Sequence, residues 1–345
     1  MLRPNTLKTI NQSLKRETEF DKWLTNMGGC TYVNSFTPAP DTPRSLACFY
    51  TGLYPKKNGC TTRIQWPKYY LRKSKETIFK YFHKNDYEIH TNFSNNDLET
   101  GYLTEEDAKF INNYLSFLDL IESIKINDKN KKELFFITLN DYHNCISDYS
   151  SLSIGAKEGN KKLVDVLKLF FENFDKDSFD YTFIFSDHGC KLQNDKLNPN
   201  HDFLLLNDNR SKIFMHMRKK NDKHLIIDKS LRTIMDIYPT IIDLINNDSK
   251  KDLDGISLLK KESHKFIVME DSTTFLPHLG IFNNIWRYKE YDFSYYLSLR
   301  DNHLYIDNNN LNRSFFKKFD HNFIKSIINK IEIISCSYKD MKKQN

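Results

Sequence analysis

The strongest constraint on the fold is a strand–helix–strand pattern between residues 133 and 187. The run ELFFITL is an almost continuous apolar segment of strand length, and DYTFIFSD is a second one. Between them, EGNKKLVDVLKLFFENF places six apolar side chains on one helical face: Leu163, Val166, Leu167, Phe170, Phe171 and Phe174. Strands that are apolar on both faces are typical of a parallel sheet covered by helices and joined by right-handed crossovers. The predicted fold class is therefore α/β.

The segments on either side continue this alternation. We predict a helix over residues 16–27, a strand at TYVNSF, a helix around KETIFKYFHKN and a strand at YEIHTNF. Further on, SLRTIMDIYPTIIDLIN predicts an amphipathic helix pair near residues 230–246. After residue 262, the runs KFIVMED, IWRYKEYD and YYLSLRDNHLYID are typical of a small antiparallel sheet, which the helix HNFIKSIINKIEII would cap. We therefore expect a main domain over residues 1–262 and a C-terminal subdomain of the same fold over residues 263–345.

Charge and cysteine content exclude several classes of protein. The 51 Lys and Arg exceed the 45 Asp and Glu by 6 and are spread along the chain, which favours anionic ligands slightly but is no nucleic-acid footprint. The six cysteines form no C-x-x-C pair and no zinc-type spacing, which predicts free thiols in a reducing compartment. No apolar run reaches about 18 residues, so no membrane segment is predicted. We expect a cytoplasmic protein without a nucleic-acid partner, whose oligomeric state the sequence leaves open.

Polar residues follow the predicted strands at three places. In an open α/β sheet, ligands bind beyond the carboxyl ends of the strands. The three places are Thr42, the group Asp141-Tyr142-His143 and the group Asp187-His188-Gly189. An adjacent Asp and His offer an oxygen and a nitrogen to one cation, and the glycine lets the backbone turn. The alternative is an ordinary turn that contains a polar pair.

Thr42 lies in the proline-rich stretch TPAPDTPRSLACFYTG. Pro43 favours the start of a helix over RSLACFYTG, with Thr42 as its N-cap. Thr42 is then either a cap alone or a hydroxyl nucleophile. At a helix N-terminus, the free N–H groups and the macrodipole stabilise a bound anion.

The spacing of this stretch resembles the nucleophile signature of the alkaline phosphatase and sulfatase superfamily. There the nucleophile lies nine residues before a Thr-Gly pair, as Thr42 does here before Thr51-Gly52, followed by Tyr54-Pro55 and Gly59. FIFSDHG is similar to the family's metal-binding strand end, and LFFITLNDYH is similar to its middle strand. MDIYPTIIDLI with DLDGISLL resembles the segment that closes the core, so the likeness covers most of the chain.

The resemblance implies an alkaline-phosphatase-like three-layer α/β/α sandwich with a mostly parallel sheet. It also implies a metal-dependent enzyme with one or two divalent ions, Zn, Mn, Mg or Ca. Asp187, His188 and Thr42 itself would hold the ion beside the Thr42 nucleophile. His143 would bind the non-transferred oxygens or protonate the leaving group.

Three further residues have two interpretations each. Asp141 would serve a second metal or be a turn aspartate. Arg44 would reach the phosphate oxygens or be solvated at the start of the helix. His201, in NPNHDFLLL, would be a further substrate or metal histidine or a surface-loop histidine.

One departure from the family pattern concerns the nucleophile. Sulfatases use a cysteine or serine that matures to formylglycine, with Pro at plus two and Arg at plus four, whereas Pro43 and Arg44 follow Thr42 directly. Threonine cannot be converted to that aldehyde hydrate. The resemblance therefore implies hydrolysis or transfer of a small-molecule or glycan phosphate ester, of the phosphodiester or phospho-glycan type, through a covalent Thr42 intermediate. A sulfate-ester hydrolase is the alternative.

A second departure concerns the N-terminus. Family members begin with a strand that ends in an acidic metal ligand, and Leu2-Arg3-Pro4 resembles the residues that come directly after that ligand. We therefore expect this sequence to begin about one strand late, without that ligand and without a central strand. This departure motivates a further alternative, a catalytically inactive relative that acts as a binding protein.

Overall fold

The structure is a computed structural model that describes residues 2, 4–60, 71–93, 104–124, 131–149, 151–190, 206–245, 252–271, 285–290, 293–298, 303–308, 314–316 and 321–334. The described strands are β1 (Gly29–Phe36), β2 (Glu88–Thr91), β3 (Ile111–Asn113), β4 (Glu133–Phe136), β5 (Tyr181–Phe185), β6 (Met215–Lys219), β7 (Leu225–Thr233), β8 (Ile267–Asp271), β9 (Ile285–Lys289), β10 (Phe293–Ser298), β11 (His303–Asn308) and β12 (Ser314–Phe316). The described α-helices are α1 (Glu19–Met27), α2 (Thr42–Thr51), α3 (Pro55–Asn58), α4 (Ile78–Lys84), α5 (Phe117–Ser123), α6 (Asp141–Asp148), α7 (Leu152–Asn173), α8 (Asp208–Ser211), α9 (Ile237–Ile245) and α10 (His321–Ile334).

The first sheet has the strand order β5-β6-β1-β7. β1 runs parallel to β7 and antiparallel to β6, and β6 is also antiparallel to β5. Strands β1, β5 and β7 therefore share one direction, and their carboxyl ends lie at one edge of the sheet. The segments that carry Thr42 and Asp187 leave the sheet from this edge, since they follow β1 and β5.

The second sheet has the order β3-β2-β4 and is parallel throughout. Its strands alternate with helices along the chain, as β4 is followed by α6 and α7. The predicted α/β class is thus confirmed. Asp141 and His143 follow the carboxyl end of β4 and lie in the first turn of α6.

The two apolar strands of the strand–helix–strand pattern are present but are not neighbours. Over the described ranges, β4 pairs with β2 and β5 pairs with β6, and no pairing joins β4 to β5. A cavity of about 380 Å³ is lined by residues of both strands. The connecting helix α7 begins at Leu152, six residues before the predicted segment.

Helix α2 packs across both sheets. The ring of Phe49 lies 5.7 Å from that of Phe136 in β4 and 4.6 Å from that of Phe185 in β5, measured between centroids. Tyr50 packs on Phe79 of α4 at 5.0 Å. Aromatic pairs at such distances stabilise a core beyond the area they bury. One helix therefore joins the two sheets and carries Thr42 at its N-terminus.

The start of α2 differs from the prediction by one residue. Asp41 is the N-cap, and its carboxylate accepts the Arg44 N–H at 3.3 Å, while Thr42 is the first helical residue. The predicted cap at Thr42 is therefore wrong. Both residue types cap helices well, and capping by Asp41 leaves the Thr42 hydroxyl to contact other groups. Gly52 ends the helix at φ 64°, where a Cβ would lie 3.1 Å from the ring of Tyr238.

The C-terminal sheet is antiparallel, with the order β12-β11-β10-β9-β8, as the sequence predicts. Helix α10 packs on it, where Lys330 Nζ donates to the Tyr288 hydroxyl at 3.2 Å. The main-chain N–H of Glu270 in β8 donates to the Pro38 carbonyl at 2.9 Å, ahead of α2. Glu270 is thereby fixed beside the start of α2. The division at residue 262 stays a prediction.

The region 230–246 is one helix, not the predicted pair. β7 extends to Thr233, a 3-10 turn covers Ile234–Asp236, and α9 follows. Strand β6, MHMRK, is also absent from the prediction, because His216 and Arg218 are residue types typical of a surface but are buried in the structure. His216 Nδ1 bonds to the Thr31 hydroxyl at 2.9 Å, and Arg218 pairs with Asp177. Because these two polar residues are buried, the sequence of this strand does not show the apolar run that indicates a buried strand.

Two expectations from composition concern the same described residues. None of the helices in the described ranges has both the length and the apolarity to cross a membrane. The described cysteines are free thiols, as predicted: Cys30, Cys48, Cys60, Cys145 and Cys190. Cys336 lies outside the described residues.

Candidate active site

Thr42, Asp187 and His188 meet at the carboxyl edge of the first sheet. Thr42 Oγ1 lies 3.2 Å from His188 Nε2, and Asp187 Oδ2 lies 3.3 Å from the same nitrogen. The His188 main-chain N–H donates to Asp187 Oδ1 at 2.9 Å. The structure thus brings together the three residues that the sequence predicts as nucleophile and metal ligands. Their positions depend on local sequence, because each lies just beyond the end of a strand or at the start of a helix.

The hydrogen bonds of His188 fix its tautomer. Its Nδ1 lies 2.7 Å from the main-chain oxygen of Gly189. A carbonyl oxygen only accepts, so Nδ1 carries the proton and Nε2 presents its lone pair to Thr42 and Asp187. Burial, helped by the Arg210 charge and opposed by Asp187, lowers the pKa of His188 to about 4. At neutral pH this ring is therefore uncharged, as a metal-ligating histidine must be.

Asp187 is an anion at neutral pH despite its surroundings. Burial alone would raise its pKa, but the His188 ring and the Thr42 hydroxyl outweigh burial and hold the pKa below its usual range. One carboxylate, one imidazole nitrogen and one hydroxyl therefore face a common point. Catalytic zinc sites commonly use three protein ligands and leave a position open, so this donor set fits a divalent ion.

Ser45, which the sequence did not single out, ties the two halves of the site together. Its hydroxyl donates to the main-chain oxygen of Asp187 at 2.5 Å and accepts from Thr37 Oγ1 at 2.7 Å. Ser45 lies three residues after Thr42 and is fully buried. Helical spacing places it above Thr42 on the same face of α2, which is the one signal that could have identified it.

Arg44 is buried beside two acidic side chains and is not among the residues that line the cavity. Its side chain is fully buried, its Nε donates to Asp41 Oδ2 at 2.6 Å, and its guanidinium lies 3.9 Å from Glu270 Oε1. The interpretation of Arg44 as a solvated arginine is therefore wrong. Burial opposes ionisation of the Asp41 carboxyl, but the Arg44 charge keeps the pKa of that carboxyl below the usual range. A contact between Arg44 and a substrate stays a prediction.

His143 and Asp141 lie in different surroundings. His143 lines the cavity that Thr42 and Asp187 also line. Burial and the Arg210 charge lower the pKa of His143, whereas the Asp187 charge raises it. The His143 ring therefore lies within the electrostatic influence of both residues. Asp141 is not among the residues that line this cavity and begins α6, as a turn aspartate would. His201 lies outside the described residues.

Arg210 supplies a cation that the sequence did not reveal. Its Nε donates to the Pro40 carbonyl at 2.8 Å, two residues before Thr42, and its charge lowers the pKa of both His188 and His143. The residue lies in α8, in the segment NDNRSK, which shows no motif. A guanidinium beside the two histidines favours an anionic ligand.

A second group of possible metal ligands lies at the amino-terminal ends of strands in the second sheet. One ligand atom each of Glu88, His90 and Glu133 lies within 4.8 Å of the others. Glu88 and Glu133 begin β2 and β4 and are paired in register, whereas Thr42 and Asp187 follow carboxyl ends. Lys131 is ion-paired with Glu88. This cluster is therefore separate from the candidate active site.

These features define an α/β protein with a candidate site at the carboxyl ends of its strands, and its fold is that of the alkaline phosphatase superfamily. It matches a 2-O GAG sulfatase with TM-score 0.71 and 14% identity over 96% of this chain and 88% of that one. It matches a protein in the alkaline phosphatase superfamily from Vibrio parahaemolyticus with TM-score 0.62 and 14% identity, over 96% and 86%. It also matches the phosphonate monoester hydrolase of Agrobacterium radiobacter with TM-score 0.65 and 10% identity, over 100% and 94%.

The structural neighbours include sulfatases and phosphonate monoester hydrolases. No protein-family model and no curated protein matches the chain. This structural likeness confirms the fold that the resemblance implies.

Proposed function

We propose that the protein is a metal-dependent hydrolase or transferase that cleaves a phosphate ester through a covalent Thr42 intermediate. The observation that carries the proposal is the 3.2 Å contact between Thr42 Oγ1 and the lone pair of His188 Nε2, beside the Asp187 carboxylate. A hydroxyl is a weak nucleophile unless a base or a metal lowers its pKa. The position of Thr42 at the start of α2 adds main-chain N–H groups that stabilise an anionic ligand.

The chemical steps need two exchanges at phosphorus. Thr42 Oγ releases its proton to solvent and attacks phosphorus, and the bond to the leaving oxygen breaks as that oxygen takes up a proton, for which His143 is the candidate donor. Water or an acceptor hydroxyl then attacks the phosphothreonine and releases its own proton to solvent, the bond from phosphorus to Oγ breaks, and Thr42 takes up a proton from solvent. Water gives a hydrolase, and an acceptor hydroxyl gives a transferase.

Thr42, Asp187 and His188 would hold the metal ion, which would be Zn, Mn, Mg or Ca. A divalent ion lowers the pKa of a bound hydroxyl and neutralises charge that develops at phosphorus. Two further residues would support the site. Ser45 holds Asp187 against α2, and the Arg210 charge would stabilise the non-transferred oxygens.

A sulfate-ester hydrolase is the second candidate, because a 2-O GAG sulfatase is among the structural neighbours. The threonine side chain at position 42 favours phosphorus, since it cannot supply the aldehyde hydrate of sulfatases. A small-molecule or glycan ester is the proposed substrate in either case.

Parallel assays on an aryl phosphodiester and an aryl sulfate, with each metal ion, test the proposal. We expect turnover of the phosphodiester, a loss of at least about 1000-fold in Thr42→Ala, and partial activity in Thr42→Ser. Thr25→Ala, at an exposed position of α1, is the matched control and should leave turnover unchanged. Turnover that survives in Thr42→Ala would contradict the nucleophile, sulfate turnover alone would favour the second candidate, and no turnover with any ion would favour the inactive binding protein.

A further inference from the structure

The cluster of Glu88, His90 and Glu133 lies at the start of two neighbouring parallel strands. Glu88 in β2 and Glu133 in β4 are directly opposite each other in the register of this pair. His90 follows Glu88 by two residues, so the two side chains lie on the same face of β2. One ligand atom of each residue lies within 4.8 Å of the others. The strand pairing therefore places two carboxylates and one imidazole around a common point.

The ring of His90 is buried and faces the two carboxylates. Its side chain is 3% exposed, and its Nδ1 lies 3.2 Å from the Tyr114 hydroxyl. The other ring nitrogen, Nε2, lies 3.4 Å from Glu133 Oε1 and 3.8 Å from Glu88 Oε1. Nε2 nevertheless has no hydrogen-bond partner among the described residues. A buried ring nitrogen without a partner is unfavourable unless a ligand satisfies it.

Lys131 is the cation that now accompanies the carboxylates. Its ammonium pairs with Glu88 Oε2 and lies 3.7 Å from Glu133 Oε1, while Asn112 Nδ2 donates to Glu88 Oε1 at 2.9 Å. The single charge of Lys131 balances only one of the two carboxylates. The Lys131 side chain is 49% exposed, so its ammonium can return to water when another cation takes its place.

We propose that this cluster is a second metal site, which takes a divalent transition ion such as Zn²⁺ in place of the Lys131 ammonium. Two carboxylate oxygens and one imidazole nitrogen form a three-ligand set that Zn²⁺ accepts, with water in the fourth position. The imidazole favours Zn²⁺ over Mg²⁺ and Ca²⁺, which prefer oxygen ligands.

The second shell of the cluster fits this assignment. A histidine that binds a metal through one ring nitrogen commonly donates a hydrogen bond from the other, and the Tyr114 hydroxyl lies within reach of His90 Nδ1. With the proton on Nδ1, Nε2 presents its lone pair to the space between the carboxylates. The ion would link β2 to β4 at their amino-terminal ends. The proposal does not rest on the proposed function.

Titration calorimetry with Zn²⁺ on His188→Ala tests the proposal, because this variant lacks a ligand of the proposed active-site metal. We expect it to bind about one Zn²⁺ per chain, and we expect the affinity to fall at least about 10-fold when Glu88→Gln or Glu133→Gln is added. Both substitutions keep the size of the side chain. Mg²⁺ at the same concentration should give no measurable binding.

A lysine substitution separates a metal site from an ordinary ion pair. Lys131→Met, in the same His188→Ala background, removes the competing ammonium and should tighten Zn²⁺ binding about 3-fold or more. Lys84→Met is the matched control, since Lys84 is an exposed lysine that pairs with Glu76, and it should leave the affinity unchanged. An ion pair that serves stability alone predicts no gain in Lys131→Met.

Three results would each overturn the proposal: no Zn²⁺ binding by folded His188→Ala, unchanged affinity in both glutamine variants, or equal affinities in Lys131→Met and Lys84→Met. If circular dichroism shows that His188→Ala does not fold, the parent protein supplies the same test. Its zinc stoichiometry should fall by about one in Glu133→Gln, and an unchanged stoichiometry would refute the site. Failure of the proposed active-site metal is distinct, because parent and His188→Ala would then bind Zn²⁺ alike.

Discussion

The hydroxyl of Ser45 donates to the main-chain oxygen of Asp187 at 2.5 Å, which joins the first turn of α2 to the end of β5. The donor lies one turn beyond Thr42 on α2. The acceptor belongs to Asp187, whose carboxylate oxygen Oδ2 lies 3.3 Å from His188 Nε2. Neither atom has a proposed chemical role. The bond nevertheless sets the separation between Thr42, the proposed nucleophile, and the proposed metal ligands, which come from distant parts of the sequence.

Ser45→Ala is therefore expected to lower kcat about 10-fold while KM changes little, because Thr42 and His188 lose their fixed separation. The loss of a buried hydrogen bond would also lower the free energy of unfolding by about 1–2 kcal/mol. Thr240→Val is the matched control, as its fully buried hydroxyl donates to the main-chain oxygen of Asp236, in the turn before α9, at 2.6 Å. Steady-state kinetics and urea unfolding measure both effects. An equal fall of kcat in Thr240→Val would mean that lost stability alone explains the result.

Arg44→Met is expected to destabilise the protein by about 3–5 kcal/mol, because it leaves the buried Asp41 and Glu270 carboxylates without their cation. Asp41→Asn keeps the N-cap but removes its charge. The double variant should therefore lose less than the sum of the two single losses, as measured by urea unfolding. Additive losses would show that the Arg44–Asp41 ion pair contributes no coupling.

We expect the free energy of unfolding to depend on pH through His216. Burial, with the Arg218 charge and against Asp222, lowers its pKa to about 4, whereas the unfolded chain has a value near 6.5. Between these pH values the unfolded state binds a proton that the folded state does not. The contribution is therefore fully present above about pH 6.5 and is lost as the pH falls toward 4, by about 2 kcal/mol at pH 5.

The measurement is urea unfolding of the parent and of His216→Asn at pH 7.5 and 5. The asparagine amide keeps a partner for Thr31 but does not titrate, so the variant should lose about 2 kcal/mol less stability on acidification than the parent. Other titrating groups are common to both proteins and cancel in the comparison. Equal acid losses would show that His216 does not control this dependence.

Metal binding is expected to depend on the Asp-His pair. Titration calorimetry with Zn²⁺ or Mn²⁺ should detect binding in the parent, and His188→Ala should weaken it at least about 10-fold. Glu133→Gln, in the cluster of Glu88, His90 and Glu133, is the control and should leave this binding intact. Binding that is lost in Glu133→Gln and kept in His188→Ala would assign the metal ion to that cluster instead.

Features that depend on local sequence could be predicted, whereas features that depend on contacts between distant residues could not. Thr42, Asp187 and His188 were predictable because each directly follows a recognisable strand or begins a helix. The roles of Ser45 and Arg210 were not, since their partners lie 142 and 170 residues away along the chain. β6 escaped detection because its His216 and Arg218 are buried and hydrogen-bond to residues far away along the chain. The sequence also did not predict that β4 and β5 belong to different sheets, because apolar periodicity does not show which strands pair with each other.

Phe49 has a further consequence for the chemistry at Thr42. Its ring packs on Phe136 of one sheet and on Phe185 of the other, seven residues beyond Thr42 on the same helix. A change in the spacing of the two sheets would tilt this helix, because a packed aromatic core transmits displacement instead of absorbing it. The distance between the Thr42 hydroxyl and His188 therefore depends on the distance between the two sheets. These sheets share no hydrogen-bonded strand among the described residues.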